Sequence, residues 1–333
     1  MAKPSPLLLG IEIGGTKLQV GAGRGDGTLV GLERRRVVPA EGSAGILRQI
    51  EEATAALLSS LHVLPEDLGA VGIGFGGPVD ADRGVATTSH QVDGWDDFPL
   101  ADWTRENLGV GRVSVQNDAD TAALGEARYG AGEGISPVLY ATIGSGIGGG
   151  LVVDGQIYRG AGRGAVEIGH LIVAEGPASG GAGATLEQIA SGWSIGREGS
   201  RRVQELLAAG HDCRSTPLLR RCSGDPAQVT ALLVGEAAVD GDPVAEDILR
   251  EAVRAMGRAL AHAVTLLAPA RIILGGGVSL LGEERWFGPI RRAVEERAFP
   301  PFRGSFDIVP AMLGEEVVVH GALALAADRF RDQ

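Results

Sequence analysis

Two apolar hairpins, each closed by a glycine-rich turn, limit the folds that are open to this chain of 333 residues. The first reads GIEIGGTKLQV from Gly10, and the second reads YATIGSGIGGGLVV from Tyr140. Helical patterns and further buried strands follow each hairpin, which is typical of α/β proteins. Because the same succession occurs twice, we predict a duplicated α/β unit with a cleft between the copies.

Periodicity places the other elements. The first half opens as an antiparallel meander with Gly-Gly and Asp-Gly turns, followed by a helix over 43–63 and a buried strand over 68–80. In the second half, a long helical pattern covers 242–268. A strand beginning at Arg271 and a final helix over 321–330 complete the α/β pattern.

Composition excludes several classes of protein. The net charge is −12 and the longest run of Lys and Arg is three residues, 34–36, so we expect no nucleic-acid partner. The two cysteines form no CxxC pair, which argues against a disulfide framework and a cysteine-rich zinc site. The most apolar long stretch contains His262, Pro269 and Arg271, which spoils it as a membrane span. We therefore expect a cytoplasmic protein with no membrane partner.

Glycines cluster at four strand ends, 14–15, 76–77, 144–150 and 275–277. Such clusters either make tight turns or let the backbone approach a ligand closely. The first cluster, with Thr16 and Lys17, matches neither GxxxxGK[ST] nor GxGxxG. It is either a plain hairpin turn or a cradle in which amides and the Thr16 hydroxyl face phosphate.

Two sets of polar residues are candidates for chemistry. Asn117 and Asp118 follow an apolar strand, where Asp118 is either a general base for a substrate hydroxyl or a helix N-cap. Glu167 and His170 are three residues apart, and Glu187 follows. These three fit hydrogen bonds to sugar hydroxyls, a carboxylate-rich zinc site, or an ordinary solvated surface.

Taken together, these segments give the chain a resemblance to the ROK family (repressors, open reading frames, kinases), and specifically to its glucokinase-type sugar kinases. Seven segments occur in the family's order: GIEIGGTK, VGIGFGGPVD, VQNDADTAALGE, TIGSGIGGGLVVDGQIYRGA, GAVEIGHLIV, TLEQIASG and RIILGGGVS. The resemblance implies an α/β fold with two ribonuclease-H-like (actin-like ATPase) domains and an interdomain cleft. It further implies a hexose substrate, most of all glucose, with ATP and Mg²⁺, in a homodimer or homotetramer. We expect a first domain over 1–115, joined by the C-terminal helix at about 318–333, and a second over 116–317.

The resemblance also implies a role for each matching residue. Asp118 matches the catalytic base, which also contacts the sugar. The other sugar-binding positions are Gly76, Gly77, Asn117, Glu167, His170 and Glu187. The ATP-binding positions are Gly14, Gly15, Thr16, Lys17, Gly144, Ser145, Gly146, Gly275, Gly276 and Gly277.

Three departures from the family pattern affect these expectations. Glu12 stands where the family has an Asp near Mg²⁺ and phosphate. The segment GHLIVAEGPASGGAGATLE lacks the family's cysteines, so we predict no structural zinc and a more mobile loop over 176–184. His90 replaces an Asn, and is either a determinant of sugar choice or part of a surface turn.

The resemblance leaves other functions open. The sugar could be N-acetylmannosamine, fructose or allose, because one pocket residue decides among hexoses. A degenerate, sugar-binding protein without turnover is a second alternative, motivated by Glu12 and the missing cysteines. A transcription regulator is disfavoured, since only nine residues precede Gly10 and none form a helix-turn-helix.

Overall fold

The computed structural model describes residues 6–89, 91–161, 164–174 and 183–331. The strands are β1 Leu7–Ile13, β2 Lys17–Gly23, β3 Leu29–Arg36, β4 Leu68–Phe75, β5 Val79–Asp80, β6 Val85–Ala86, β7 Val113–Asn117, β8 Val138–Ile143, β9 Ile147–Val153, β10 Gln156–Ile157, β11 Ile172–Ala174, β12 Ala184–Thr185, β13 Arg271–Gly275 and β14 Asp307–Pro310. The helices are α1 Gly42–Leu61, α2 Leu100–Leu108, α3 Asp118–Tyr129, α4 Leu186–Ala190, α5 Gly192–Ala208, α6 Pro217–Arg221, α7 Ala231–Val239, α8 Pro243–Leu267, α9 Gly288–Arg297 and α10 Val317–Arg331.

Two five-stranded sheets share one topology. The first has the order β3-β2-β1-β4-β7 and the second has the order β10-β9-β8-β13-β14. Numbered within itself, each sheet therefore runs 3-2-1-4-5. In the first sheet, β1, β2 and β3 are antiparallel neighbours, whereas β4 and β7 are parallel additions. The predicted meander and the predicted duplication are confirmed.

The two faces of the first sheet differ because side chains alternate along a strand. On one face, Leu9 and Ile11 pack into a core that includes Ile46 and Ile50 of α1. On the other face, glycines let α10 approach the backbone. A Cβ added at Gly72 would lie 1.9 Å from the carbonyl oxygen of Ala322.

Helices α3 and α10 also meet through glycine. A Cβ at Gly321 would lie 1.7 Å from the carbonyl oxygen of Thr121, a backbone atom that cannot rotate away. We therefore expect Gly321→Ala to lower the free energy of unfolding by about 1–3 kcal/mol through overpacking. Alanine at an exposed helical site would instead stabilise the helix. Denaturant unfolding measures the difference.

The matched control for this prediction is Gly111→Ala. A Cβ at Gly111 would have no neighbouring atom within 4 Å, and its φ is not positive. We expect its stability to stay within about 0.5 kcal/mol of wild type. Equal stabilities of the two variants would contradict the close α3–α10 contact.

The chain divides into two compact units. The first consists of Met1–Tyr140, Gly150–Val166 and Ala311–Gln333, and the second consists of Ala141–Gly149 and Glu167–Pro310. Helices α3 and α10 thus belong to the first unit. Among the described residues, no helix is both long and apolar enough to cross a membrane.

Candidate active site

The turn between β1 and β2 is closed by its own backbone. The amide of Gly14 donates to the carbonyl oxygen of Lys17 (2.9 Å), and the amide of Gly76 donates to that of Ile13 (2.8 Å). The side chain of Gln91 lies over Gly15, with its Oε1 1.6 Å from where a Cβ would be. Because the end of this side chain is flexible, its rotation would free the space beside the Gly15 Cα.

Asn117, rather than Asp118, caps helix α3. Its Oδ1 accepts from the amides of Ala119 (2.8 Å) and Asp120 (3.4 Å), and its Nδ2 donates to the carbonyl of Gly77 (3.1 Å). The N-cap alternative considered for Asp118 is therefore wrong, since one capping side chain suffices. Most of the hydrogen-bonding capacity of Asn117 is therefore used, and within the described part of the chain one N–H of its side chain has no partner.

Asp118 is the first residue of α3, where the helix dipole favours a negative charge. Its Oδ1 lies 2.8 Å from the amide of Ala119. Its Oδ2 lies beside Gly76, 3.5 Å from the position that an added Cβ would take. That position is also 3.5 Å from Cα of Gly14. The structure therefore brings together Asp118, Gly76 and the β1–β2 turn, although Gly14 and Asp118 are about a hundred residues apart in the sequence.

Glu12 is largely buried and is held on one carboxylate oxygen. Its Oε2 lies 2.6 Å from Nε2 of Gln19 and 3.2 Å from Nζ of Lys17. Lys17 also donates to the carbonyl of Glu315 (3.0 Å). The ammonium of Lys17 thus neutralises Glu12, and the expected contact of Lys17 with ATP stays a prediction.

Burial raises the pKa of Glu12 above its ordinary value. Lys17 and the hydrogen bond from Gln19 oppose this rise, and Glu315 adds to it. Keeping this carboxylate ionised therefore costs free energy in the folded protein. A cation beside its other oxygen would offset that cost.

In the second unit, the turn 144–146 between β8 and β9 repeats the first turn. The amide of Gly144 donates to the carbonyl of Gly146 (3.0 Å). Oε2 of Glu187 accepts from the amide of Ile147 (2.8 Å) and would lie 2.5 Å from a Cβ at Gly146. Glu187 therefore stabilises this turn with one oxygen, while its other oxygen accepts no hydrogen bond from the described residues.

His170 and Glu187 are neighbours through backbone pairing. They lie just before β11 and just after β12, which pair with each other. Gly169 also packs on the carbonyl of Ile147, at 2.2 Å from its added Cβ. Both His170 and Glu167 are exposed on a short 3-10 turn, so their side chains are accessible to a substrate.

A pocket of about 570 Å³ lies in the second unit, beside the turn 144–146. Gly144, Ser145 and Gly277 line it together with Trp193 and Leu232, which are 67% and 71% exposed. Large apolar side chains left this exposed in one concave place are typical of a binding site. The residue before the pocket-lining Gly277 must also be glycine, since φ of Gly276 is 83° and an added Cβ would lie 2.5 Å from the backbone of Ile143.

Sequence reasoning missed Trp193, Leu232 and Gln19. No local motif marks them, and only the fold brings them to the predicted residues. His90 and most of the loop over 176–184 lie outside the described residues, so the expectations for His90 and for loop mobility stay predictions. Among the described residues no cluster of three metal-ligating side chains occurs, and the absence of zinc also stays a prediction.

Comparison with known proteins gives one family. The model of the ROK family matches residues 8–329. The glucokinase of Thermotoga maritima is 31% identical, covering 98% of this chain and 99% of its own length. The kanosamine kinase of Amycolatopsis mediterranei is also 31% identical, covering 97% and 96%. The structure of a ROK family glucokinase from Streptomyces griseus, in complex with glucose and AMPPNP, is 33% identical with a TM-score of 0.79, covering 97% and 99%.

Proposed function

This chain belongs to the ROK family, and we propose that it transfers the γ-phosphoryl group of ATP to a hexose, with glucose the favoured substrate. The glucokinases of Thermotoga maritima and Streptomyces griseus, which align along nearly their whole length, support this choice. The observation that carries the proposal is the position of Asp118. Its carboxylate, on the first residue of a capped helix, lies beside Gly76, and Gly76 in turn adjoins the glycine turn that we assign to phosphate.

In the proposed reaction, Asp118 accepts the proton of the attacking sugar hydroxyl. The amides of the turns 14–16 and 144–146 hold the phosphates, as nests of N–H groups do. Asn117, Glu167, His170 and Glu187 orient the sugar ring through directed hydrogen bonds, with Gly76 and Gly77 beside it. Catalysis is then mostly positioning and charge stabilisation, as in other phosphoryl transfers.

Mg²⁺ fits the residues present, and we assign Glu12 to it. Within the described residues, Oε2 of Glu12 is committed to Gln19 and Lys17, whereas no hydrogen bond involves Oε1. Mg²⁺ is usually held by one or two carboxylates, waters and substrate phosphates. When bound, the ion would neutralise charge on the phosphates.

The deciding experiment is ADP production from Mg-ATP with a panel of hexoses and N-acetylhexosamines. We expect turnover with glucose. A kanosamine kinase of the same percentage identity makes an amino sugar the specific alternative, which kanosamine, added to the same panel, tests. Sugar-dependent thermal stabilisation without turnover on any sugar would overturn the kinase proposal in favour of a degenerate binding protein.

We assign the pocket at Trp193, which Gly277 lines, to the adenosine of ATP, in keeping with the expected role of Gly275–Gly277. Stacking of a base on an aromatic ring contributes about 1–3 kcal/mol. We therefore expect Trp193→Ala to raise the Kd for ADP about tenfold. Isothermal titration calorimetry measures this. Trp103→Ala, in the first unit, is the control, and an unchanged Kd in Trp193→Ala would contradict the assignment.

A further inference from the structure

A row of three polar side chains crosses the first sheet from the proposed metal site to the sheet edge. Glu12 on β1 is paired in register with Gln19 on β2, and Gln19 is paired with Arg34 on the edge strand β3. Nε2 of Gln19 lies 2.6 Å from Oε2 of Glu12, and Nε of Arg34 lies 3.1 Å from Oε1 of Gln19. The three side chains thus form one continuous chain of hydrogen bonds.

Arg34 fixes the orientation of the Gln19 amide. A guanidinium only donates hydrogen bonds, so the atom of Gln19 that faces it must be the oxygen. The nitrogen then faces two acceptors, the carboxylate of Glu12 and the carbonyl of Glu315 (2.9 Å). A flipped amide would set donor against donor at one end and acceptor against acceptor at the other.

Burial makes this arrangement stiff. The side chain of Gln19 is 0% exposed, so water cannot replace a lost partner. Both of its N–H groups and its oxygen are used. Glu12 is consequently held at one oxygen by a rigid amide, while the other oxygen stays uncommitted among the described residues.

We propose that Gln19 is a positioning residue that presents the uncommitted oxygen of Glu12 to the nucleotide-bound divalent cation, and that Arg34 keeps Gln19 in the orientation this requires. This inference rests on the proposed kinase function, which gives Glu12 its metal. Gln19 itself touches neither nucleotide nor sugar in this scheme. It adapts the site to a carboxylate one methylene longer than aspartate.

The test is the affinity of Mn²⁺ for the protein in the presence of ADP, measured by electron paramagnetic resonance without turnover. Gln19→Met keeps the length of the side chain and removes the amide. We expect it to raise the Kd for Mn²⁺ about tenfold, since loss of an outer partner of a metal ligand costs 10–100-fold. An unchanged Kd would overturn the proposal.

A double-mutant cycle separates positioning from general structural damage. If Gln19 acts through Glu12, Gln19→Met should have no further effect on the Kd for Mn²⁺ once Glu12→Gln is present. Independent, additive effects would overturn the proposal. So would a Glu12→Gln variant that binds Mn²⁺ as wild type does.

Arg34 gives a second route that does not depend on a buried substitution. Its side chain is 52% exposed, so Arg34→Met should fold, and we expect the Kd for Mn²⁺ to rise about threefold. Arg35→Met is the matched control, because Arg35 lies on the opposite face and contacts Glu33. Glu316→Gln controls for the ion pair that Arg34 also makes.

The outcomes distinguish this inference from the proposed function. If wild type phosphorylates no sugar yet binds Mn²⁺ and ADP in a way that depends on Glu12 and Gln19, the kinase proposal fails and the positioning role stands. If wild type turns over and neither Gln19→Met nor Arg34→Met changes the Kd for Mn²⁺, the positioning role alone fails.

Discussion

Asp118→Asn should lower kcat for hexose phosphorylation by about 10³-fold, within the range that a general base contributes. The amide cannot take the proton of the sugar hydroxyl, but it has the size and most of the hydrogen-bonding geometry of the carboxylate. Sugar binding should therefore remain close to wild type. Coupled ADP production gives kcat, and sugar-dependent thermal stabilisation reports binding.

The fold should tolerate this change. Loss of a negative charge at the start of α3 costs only roughly 0.3–1 kcal/mol, because Asn117 still caps the helix. Asp102→Asn is the matched control, since Asp102 is an acidic residue in the first turn of α2 and is exposed. We expect full activity from it. Wild-type turnover in Asp118→Asn would refute the role of base.

Much of the fold follows from the sequence because its signals are local. The glycine turn after Ile13 and the one after Ile143 each join two apolar strands. The repeated hairpins can therefore be predicted from the sequence without tertiary information. The likeness to ROK glucokinase structures confirms the two-domain actin-like fold and the family. The sequence did not predict that β4 and β7 extend the first sheet as parallel strands, which the structure shows.

The candidate site is less predictable because its geometry depends on register and on long-range packing. Whether Asn117 or Asp118 caps α3 depends on which of the two residues is the first of the helix, and the sequence leaves this open. From the sequence alone, Gln19 is one polar residue within an apolar strand, and no motif marks it as functional. Only the pairing of β1, β2 and β3 gives it Glu12 on one side and Arg34 on the other.

The pairing of Glu12 on β1 with Gln19 on β2 also gives a role to the extra methylene of Glu12. Glu12→Asp would withdraw the carboxylate by about one bond length, roughly 1.5 Å, from the amide of Gln19 that holds it. We therefore expect turnover at saturating sugar to fall about tenfold rather than rise. Steady-state ADP production at varied Mg²⁺ measures it, and higher turnover in Glu12→Asp would mean that the natural residue is a weakened metal contact.

Glu12→Gln should have the larger effect on turnover, about a hundredfold, because it removes the negative charge that we assign to holding Mg²⁺ at the phosphates. Whereas Glu12→Gln should lower turnover, we expect it to raise the stability of the fold. A carboxyl whose pKa is raised on folding binds more protons in the folded state, so its contribution to stability falls as pH rises above 4.5, the reference value. Without nucleotide and metal, Glu12→Gln should therefore unfold at a higher temperature than wild type at pH 7, and the difference should vanish near pH 4. A less stable variant at pH 7 would mean that Lys17 and Gln19 outweigh the burial of Glu12, and that the site carries no electrostatic strain for a cation to relieve.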